Sequence, residues 1–414
     1  MPATPLLNAE VRFIDAERGH GVFATAAMPA GTTIFKEQNL VAIQHKSNKA
    51  AGPVLCERCF RFLGPLEDQM RALLRASGKP DSVVPAQLPQ VEGMRPMPSP
   101  VWCGGLQYCS EACRAAAFSE GHQLICPTVP PAAAAAGDDA MQVDAGPSSS
   151  AASTGGGGGE AWAKFEEHAL ATNEIFLMAA RAAALIVVRV NAGQELAQAG
   201  SEFVGVPWWE SVARPDDVPP EGEAAFRQAM RDALVQSWEL LVPVLAPHAP
   251  PGLALLTAVD GYASIVGSFE RRNCDMQVAS PVEEYFLLVD DLEDGPQKEA
   301  ITAVTQPILD ALDASYDTAG EGIGLFPLQA TLNHSCAPNV WLKKEEGEDE
   351  EDGRVVAVLK TDVAAGDELC NSYIDVELPF AQRQRELAEY GFVCACARCL
   401  AEKPAASRPA RKLK

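Results

Sequence analysis

Residues 324–373, GLFPLQATLNHSCAPNVWLKKEEGEDEEDGRVVAVLKTDVAAGDELCNSY, decide the fold. Asn333-His334-Ser335-Cys336 interrupts an otherwise apolar segment with side chains that hydrogen-bond or ligate. Residues 355–359, VVAVL, form a β-rich run, and Gly366-Asp367-Glu368 sets a turn after it. Ser372-Tyr373 follows within a few residues. Between the two polar clusters lies Lys343–Gly353, KKEEGEDEEDG, an acidic insertion that reads as a disordered hairpin tip.

Composition bounds what surrounds this stretch. The 414 residues suffice for two to three domains of roughly 100–200 residues each. Hydrophobic residues make up 47%, enough for a sizeable core. A formal charge of −23 argues against direct nucleic-acid binding, which needs a basic face, and suits a basic substrate. No apolar run reaches the roughly 18–20 residues of a membrane span. The N-terminal MPATPLLNAEVRF lacks the basic start and apolar block of a secretory signal. A nuclear or cytoplasmic location is expected, where the 12 cysteines read as metal ligands sooner than as disulfides.

Working outward, Val11–Ile43 alternates apolar residues with the turn signals Gly19-His20-Gly21 and Pro29-Ala30-Gly31, a pattern of short strands. Cys56, Cys59, Cys103, Cys109, Cys113, His122 and Cys126 follow at zinc-ligand spacings, with a short amphipathic helix, LEDQMRALLRAS, inside the long first gap. Residues 127–160 are low-complexity linker, poor in large apolar side chains. Trp162–Val190, Glu223–Leu245 and Leu253–Ser268 carry helical patterns. Asn273 reads as part of a polar break. Ser280-Pro281 with Glu283-Glu284 reads as a helix cap and first turn. Residues 376–392 read as a helix, and Cys394, Cys396 and Cys399 follow it. A basic tail, KPAASRPARKLK, closes the chain.

The Asn-His-Ser-Cys segment, followed in order by Gly-Asp-Glu and Ser-Tyr, resembles the core of SET-domain protein lysine methyltransferases. Arg18-Gly19-His20-Gly21 resembles that family's opening strands, the cysteine-rich segment its MYND zinc finger, and Cys394-x-Cys396-x2-Cys399 its post-SET motif. The resemblance implies an α+β, SET-domain β-clip fold with a pseudoknot, an inserted MYND-like finger, a helical insert and a post-SET zinc motif. The expected organisation is 1–52 for the N-terminal part of the SET domain, 53–127 for the finger and 128–160 for the linker. It continues with 161–313 for the helical insert, 314–376 for the core SET domain, 377–401 for the post-SET motif and 402–414 for the tail. The absence of a C-terminal helical-repeat domain points to the family's shorter, divergent branch.

The same resemblance implies S-adenosylmethionine and Zn2+ as cofactors. It places Arg18, Gly19, His20, Gly21, Asn273, Asn333 and His334 at the methyl donor, Tyr373 at the catalytic centre, and Tyr390 and Phe392 in the lysine channel. By the family's pairing Cys56, Cys59, Cys109 and Cys113 hold one zinc, and Cys336, Cys394, Cys396 and Cys399 another. Cys103, His122 and Cys126 form a third set that lacks a fourth ligand. The implied activity is methylation of lysines in histone tails or other basic proteins, with proline-rich peptides as partners of the finger. The competing reading is a zinc-organised interaction scaffold with an inactive SET domain.

Overall fold

A computed structural model of the chain describes residues 5–126, 158–215, 217–344 and 353–403. Most of the expected linker, residues 345–352 of the acidic insertion and residues 404–414 of the basic tail lie outside the described residues. The described strands are β1 (Ala9–Asp15), β2 (Gly19–Ala24), β3 (Thr33–Glu37), β4 (Val41–Gln44), β5 (Val101–Cys103), β6 (Leu106–Tyr108), β7 (Asn273–Val278), β8 (Gly320–Leu325), β9 (Asn333–His334), β10 (Val340–Lys344), β11 (Val355–Leu359) and β12 (Glu368–Asn371). The chain divides into two compact units.

One unit gathers Met1–Glu37, Pro327–Glu345 and Arg354–Lys414. In it β1, β2, β12 and β9 form a sheet in that order, antiparallel except for the parallel β12–β9 pair. A second sheet runs β10–β11–β3, antiparallel throughout. Its middle strand is the VVAVL run. Val355, Val356, Ala357 and Leu359 are all buried there, which explains why the run is continuously apolar and does not alternate. Lys344 pairs with Val355, so the acidic insertion joins adjacent antiparallel strands. Val22, Ala24, Ile34, Phe35, Leu332 and Leu369 share this unit's core.

The other unit contains Gln38–Phe326. Its sheet is β4–β8–β7, antiparallel. β8 reads GEGIGL, and its glycines are a packing device. A Cβ on Gly322 would meet Ile43 O at 2.3 Å and Phe60 Cε1 at 2.4 Å. The missing side chain lets Phe60, which follows Cys59, press onto the strand. The β5–β6 hairpin belongs to the cysteine-rich segment.

The helical pattern of Trp162–Val190 is split into Gly158–Thr172 and Ile175–Asn191. Asn173 makes the break, its Oδ1 accepting the Ile175 N–H at 3.0 Å. Such local bonding is why asparagine favours caps over helix interiors. Ile175–Asn191 buries Phe176, Met178, Leu185, Ile186 and Val187; full burial of each large side chain is worth roughly 1.5–3 kcal/mol. Leu253–Ser268 is likewise divided, into Ala254–Thr257 and Val259–Arg272. The polar break expected at Asn273 is strand β7, with Asn273 opposite Leu325. Its pairing with β8 is a tertiary effect that overrides the polar local sequence. Ser280 caps the helix Pro281–Asp290 as expected, its Oγ accepting the Glu283 N–H at 3.4 Å.

Candidate active site

The Asn-His-Ser-Cys segment and the strand after Gly366 lie side by side. Cys370 pairs with Asn333, and Asn371 with His334. The Ser335 N–H donates to Asn371 O at 2.8 Å. Asn339 fastens the two segments from its side chain. Its Nδ2 donates to Glu368 O at 2.8 Å, and its Oδ1 accepts from the Cys370 N–H at 2.8 Å.

β2 joins this crossing through its glycines. Asn333 Nδ2 donates to His20 O at 3.1 Å and to Glu368 Oε1 at 2.9 Å. Arg18 Nη2 donates to both oxygens of Glu368. A Cβ on Gly21 would lie 3.0 Å from Asn333 Nδ2 and 3.1 Å from Glu368 Oε1. Glycine at 21 therefore serves the packing of protein against protein. Gly19 differs: its φ is +66°, and among the described residues nothing stands within 4 Å of where a Cβ would be. Arg18, Gly19, His20, Gly21 and Asn333 are thus brought together, and His20 takes part through its carbonyl. Asn273 belongs to the other unit, on β7. Asn371 is 3% exposed, and its Oδ1 has no hydrogen-bond partner among the described residues. An unpaired buried acceptor is uncommon, and this one stands on β12 at the crossing with β9.

His334 links the crossing to an aromatic cluster. Its Nδ1 accepts from the Tyr373 N–H at 3.0 Å, so the ring hydrogen sits on Nε2, 3.3 Å from Cys336 Sγ. Burial, with Arg383 adding to it, lowers the imidazole to about 4 and keeps it neutral. Both ring nitrogens are engaged by the protein.

The His334 and Tyr373 rings are 5.4 Å apart, and Tyr373 lies 5.2 Å from Tyr390 and 6.4 Å from Phe392. The Tyr373 hydroxyl donates to Leu332 O at 2.8 Å. Burial first, then the nearby Cys370, Tyr390 and Glu368, raises its pKa above the ordinary tyrosine range. It stays a phenol.

The helix Phe380–Glu389 ends so as to deliver Phe392. Gly391, at φ +85°, donates to Ala388 O, and the Phe392 N–H donates to Leu387 O at 3.4 Å. This left-handed C-terminal cap needs glycine and folds Phe392 back onto Leu387.

Beneath the aromatics Cys336, Cys394, Cys396 and Cys399 bring their sulfurs within 4.8 Å of one another. Cys336 Sγ is 3.4 Å from Cys399 Sγ and 3.9 Å from Cys394 Sγ. Zn–S bonds of about 2.3 Å in a tetrahedron demand about 3.8 Å between sulfurs, so the set fits zinc. Supporting donors surround it. Gln384 Nε2 lies 3.3 Å from Cys399 Sγ, and its Oε1 accepts the Cys394 N–H. Arg383, 1% exposed, donates to Leu378 O and Glu402.

In the other unit Cys56, Cys59, Cys109 and Cys113 form an equivalent four-sulfur set, with Cys59–Cys109 at 3.5 Å and Cys56–Cys113 at 3.8 Å. Cys103, His122 and Cys126 form the third, with Cys103–Cys126 at 3.7 Å. His122 Nε2 is buried without a hydrogen-bond partner among the described residues, an orphan that a metal would satisfy. Among the described residues none of the twelve cysteines forms a disulfide. Cys274 and Cys370 stand outside the three sets.

Comparison with known proteins decides the family. The SET-domain family model matches residues 19–374. The chain belongs to the SET-domain lysine methyltransferase family. Histone-lysine N-methyltransferase ATXR2 of Arabidopsis thaliana is 34% identical over 447 aligned residues, covering 92% of this chain and 88% of that protein. Protein-lysine N-trimethyltransferase SMYD5 of Homo sapiens is 28% identical, covering 96% of this chain and 87% of its own length. This SET-domain chain accordingly uses S-adenosylmethionine, and its cysteine clusters have the geometry for zinc. No described helix is long and apolar enough to cross a membrane.

The residues missed in the sequence are Glu368 as the acceptor hub, Asn339 as the clasp and Asn371 as the orphaned acceptor. Glu368 stands in the quoted turn, but nothing local announces that its partners are Arg18 and Asn333. The only signal for Asn339 and Asn371 is the presence of amides flanking apolar strands.

Proposed function

We propose that this SET-domain methyltransferase methylates lysine side chains of histone tails or other basic proteins, with Tyr373 orienting the reacting amine. The observation that carries the reading is the gathering of Tyr373, Tyr390, Phe392 and His334 at the end of the β9–β12 crossing. Gly19, Asn333 and the main chain of His334 line the donor side, with Arg18, Gly21 and Glu368 bracing them. Asn371 offers an acceptor, and Asn273 is the further donor-side candidate by resemblance.

S-adenosylmethionine supplies, when bound, a methyl group carried on a positive sulfonium. The chain's own residues must present a neutral amine to it. A lysine free in water has a pKa of about 10.4, and an aromatic, poorly solvated wall favours the uncharged form. The phenol of Tyr373 gives its hydrogen to Leu332 O, and its oxygen keeps capacity to accept an amine hydrogen. Because that phenol is held protonated at neutral pH, it positions the amine and does not act as a base. Alignment is then the main source of rate.

The cysteine cluster at Cys336 supports this geometry through His334, which touches Cys336 Sγ on one side and the Tyr373 N–H on the other. The finger is assigned to proline-rich partners, and the protein to nucleus or cytoplasm, by family resemblance. Incubating the chain with labelled S-adenosylmethionine, core histones and a panel of basic proteins tests the activity. Label on lysine supports it; no label on any protein removes it.

A further inference from the structure

A trench of about 750 Å3 runs along the hairpin formed by the helices Pro281–Asp290 and Pro296–Leu312. Its floor is mixed: Phe286, Val289, Leu309 and Tyr316 line it together with Thr302 and Gln306, and Leu287 stands 57% exposed at its edge. Its rim carries Asp290, Asp310 and Asp313, all exposed. Among the described residues none of these carboxylates forms an ion pair. Among the described residues the one lining cation is Lys298, and its ammonium is engaged by main-chain carbonyls and by Asp294. Its Nζ donates to Asp290 O at 2.7 Å and Leu292 O at 3.1 Å, and lies 3.5 Å from Asp294. The helix Pro296–Leu312 has no basic residue in its last turn, so its negative end adds to the field of Asp310 and Asp313.

We propose that this trench is a docking surface for a lysine-rich segment of the protein substrate, separate from the residues that hold the reacting lysine. The proposal rests on the reading that the chain methylates basic proteins. Lysine and arginine fit such a surface because each has an aliphatic stem and a charged head. The stems lie along Leu287, Leu309 and Tyr316, and the heads meet the rim carboxylates. An acidic or neutral segment has no counterpart for those three charges. The overall charge of −23 draws basic partners at long range, and the trench adds a place with shape. Anchoring at a second point raises the local concentration of substrate lysines without touching the chemistry. The effect belongs in KM for long substrates and leaves kcat alone.

The test uses the full chain and a fluorescein-labelled peptide of alternating lysine and leucine, with a glutamate-for-lysine peptide as control. The isosteric triple variant Asp290→Asn, Asp310→Asn, Asp313→Asn removes the charge without changing shape. Single exposed ion pairs contribute little, so only the set is expected to read out, as about a tenfold weaker Kd. Leu287→Ser, tested alone, should weaken the same peptide without altering its salt dependence. The glutamate peptide should bind neither protein. On a methylated basic protein the triple variant should raise KM and keep kcat. Equal peptide binding by wild type and triple variant overturns the proposal. So does a chain ending at residue 403 that binds the peptide tenfold tighter, since the basic tail would then be the occupant. If wild type methylates nothing but the charge-dependent peptide binding persists, the docking surface stands and the catalytic reading falls.

Discussion

Glu368 accepts Arg18 Nη2 on both carboxylate oxygens, at 2.5 and 2.6 Å, and also receives Asn333 Nδ2. One carboxylate thereby ties the opening turn of the chain to the Asn-His-Ser-Cys segment. Arg18 is 45% exposed at its side chain, so the pair itself contributes about 1 kcal/mol or less to stability. Its importance lies in placement. Glu368→Gln should leave the denaturation midpoint nearly unchanged and weaken S-adenosylmethionine binding several-fold, read by calorimetry. Unchanged cofactor affinity would assign the carboxylate to surface packing alone.

Gly21→Ala probes the same junction from the backbone. The added methyl would sit 3.0 Å from Asn333 Nδ2, 3.1 Å from Glu368 Oε1 and 2.8 Å from Ile14 Cδ1. Overpacking of this kind costs about 1–3 kcal/mol. The expected outcome is a lowered midpoint together with at least a tenfold loss of cofactor affinity. An alanine variant that binds the cofactor normally would show that Asn333 is free to move.

Much of this site was legible because its chemistry is written in residue type and spacing. Asn333-His334-Ser335-Cys336, Ser372-Tyr373 and the cysteine sets can be picked out before any fold is known, and the three cysteine sets gather as grouped. What stayed hidden depends on contacts distant in sequence. Glu368 meets Arg18, Asn339 clasps Glu368 and Cys370, and β7 forms only because β8 lies beside it. The helix break at Asn173 was hidden for another reason: apolar periodicity continues across it, and one asparagine side chain decides the matter.

Metal content follows from the three cysteine clusters. Elemental analysis should give three zinc ions per folded chain, since even the three-donor set offers the orphaned His122 Nε2. Cys399→Ser should lower the count by one and reduce methyl transfer, because its cluster contacts His334 through Cys336. Acidification should release zinc as the thiolates protonate. A value of one or none for folded protein would contradict the assignments.

Glu37 predicts a pH dependence of stability. It is 4% exposed and accepts the Leu328 and Gln329 N–H groups, each at 2.8 Å, just ahead of Asn333. Burial raises its pKa to about 7, against the opposing pull of those two hydrogen bonds. A carboxyl raised on folding binds its proton more tightly in the native state. Its contribution is therefore full below the unfolded value and lost as pH rises through about 7. Wild type should lose about 3 kcal/mol relative to Glu37→Gln between about pH 4.5 and 7.5, measured as the difference in denaturant midpoints. A constant difference across that window would show that Glu37 is ionised throughout.

The central claim concerns the Tyr373 hydroxyl, and Tyr373→Phe removes that group alone. The measurement is single-turnover methyl transfer by the variant to a basic protein that the wild-type enzyme modifies, with cofactor affinity and thermal stability measured in parallel. Loss of the hydrogen bond to Leu332 O should cost about 0.5–1.5 kcal/mol of stability and leave S-adenosylmethionine binding intact. Methyl transfer should fall about a hundredfold or more, because a misplaced amine forfeits the alignment on which displacement depends. A folded, cofactor-binding Tyr373→Phe protein that transfers methyl groups at the wild-type rate would contradict the account.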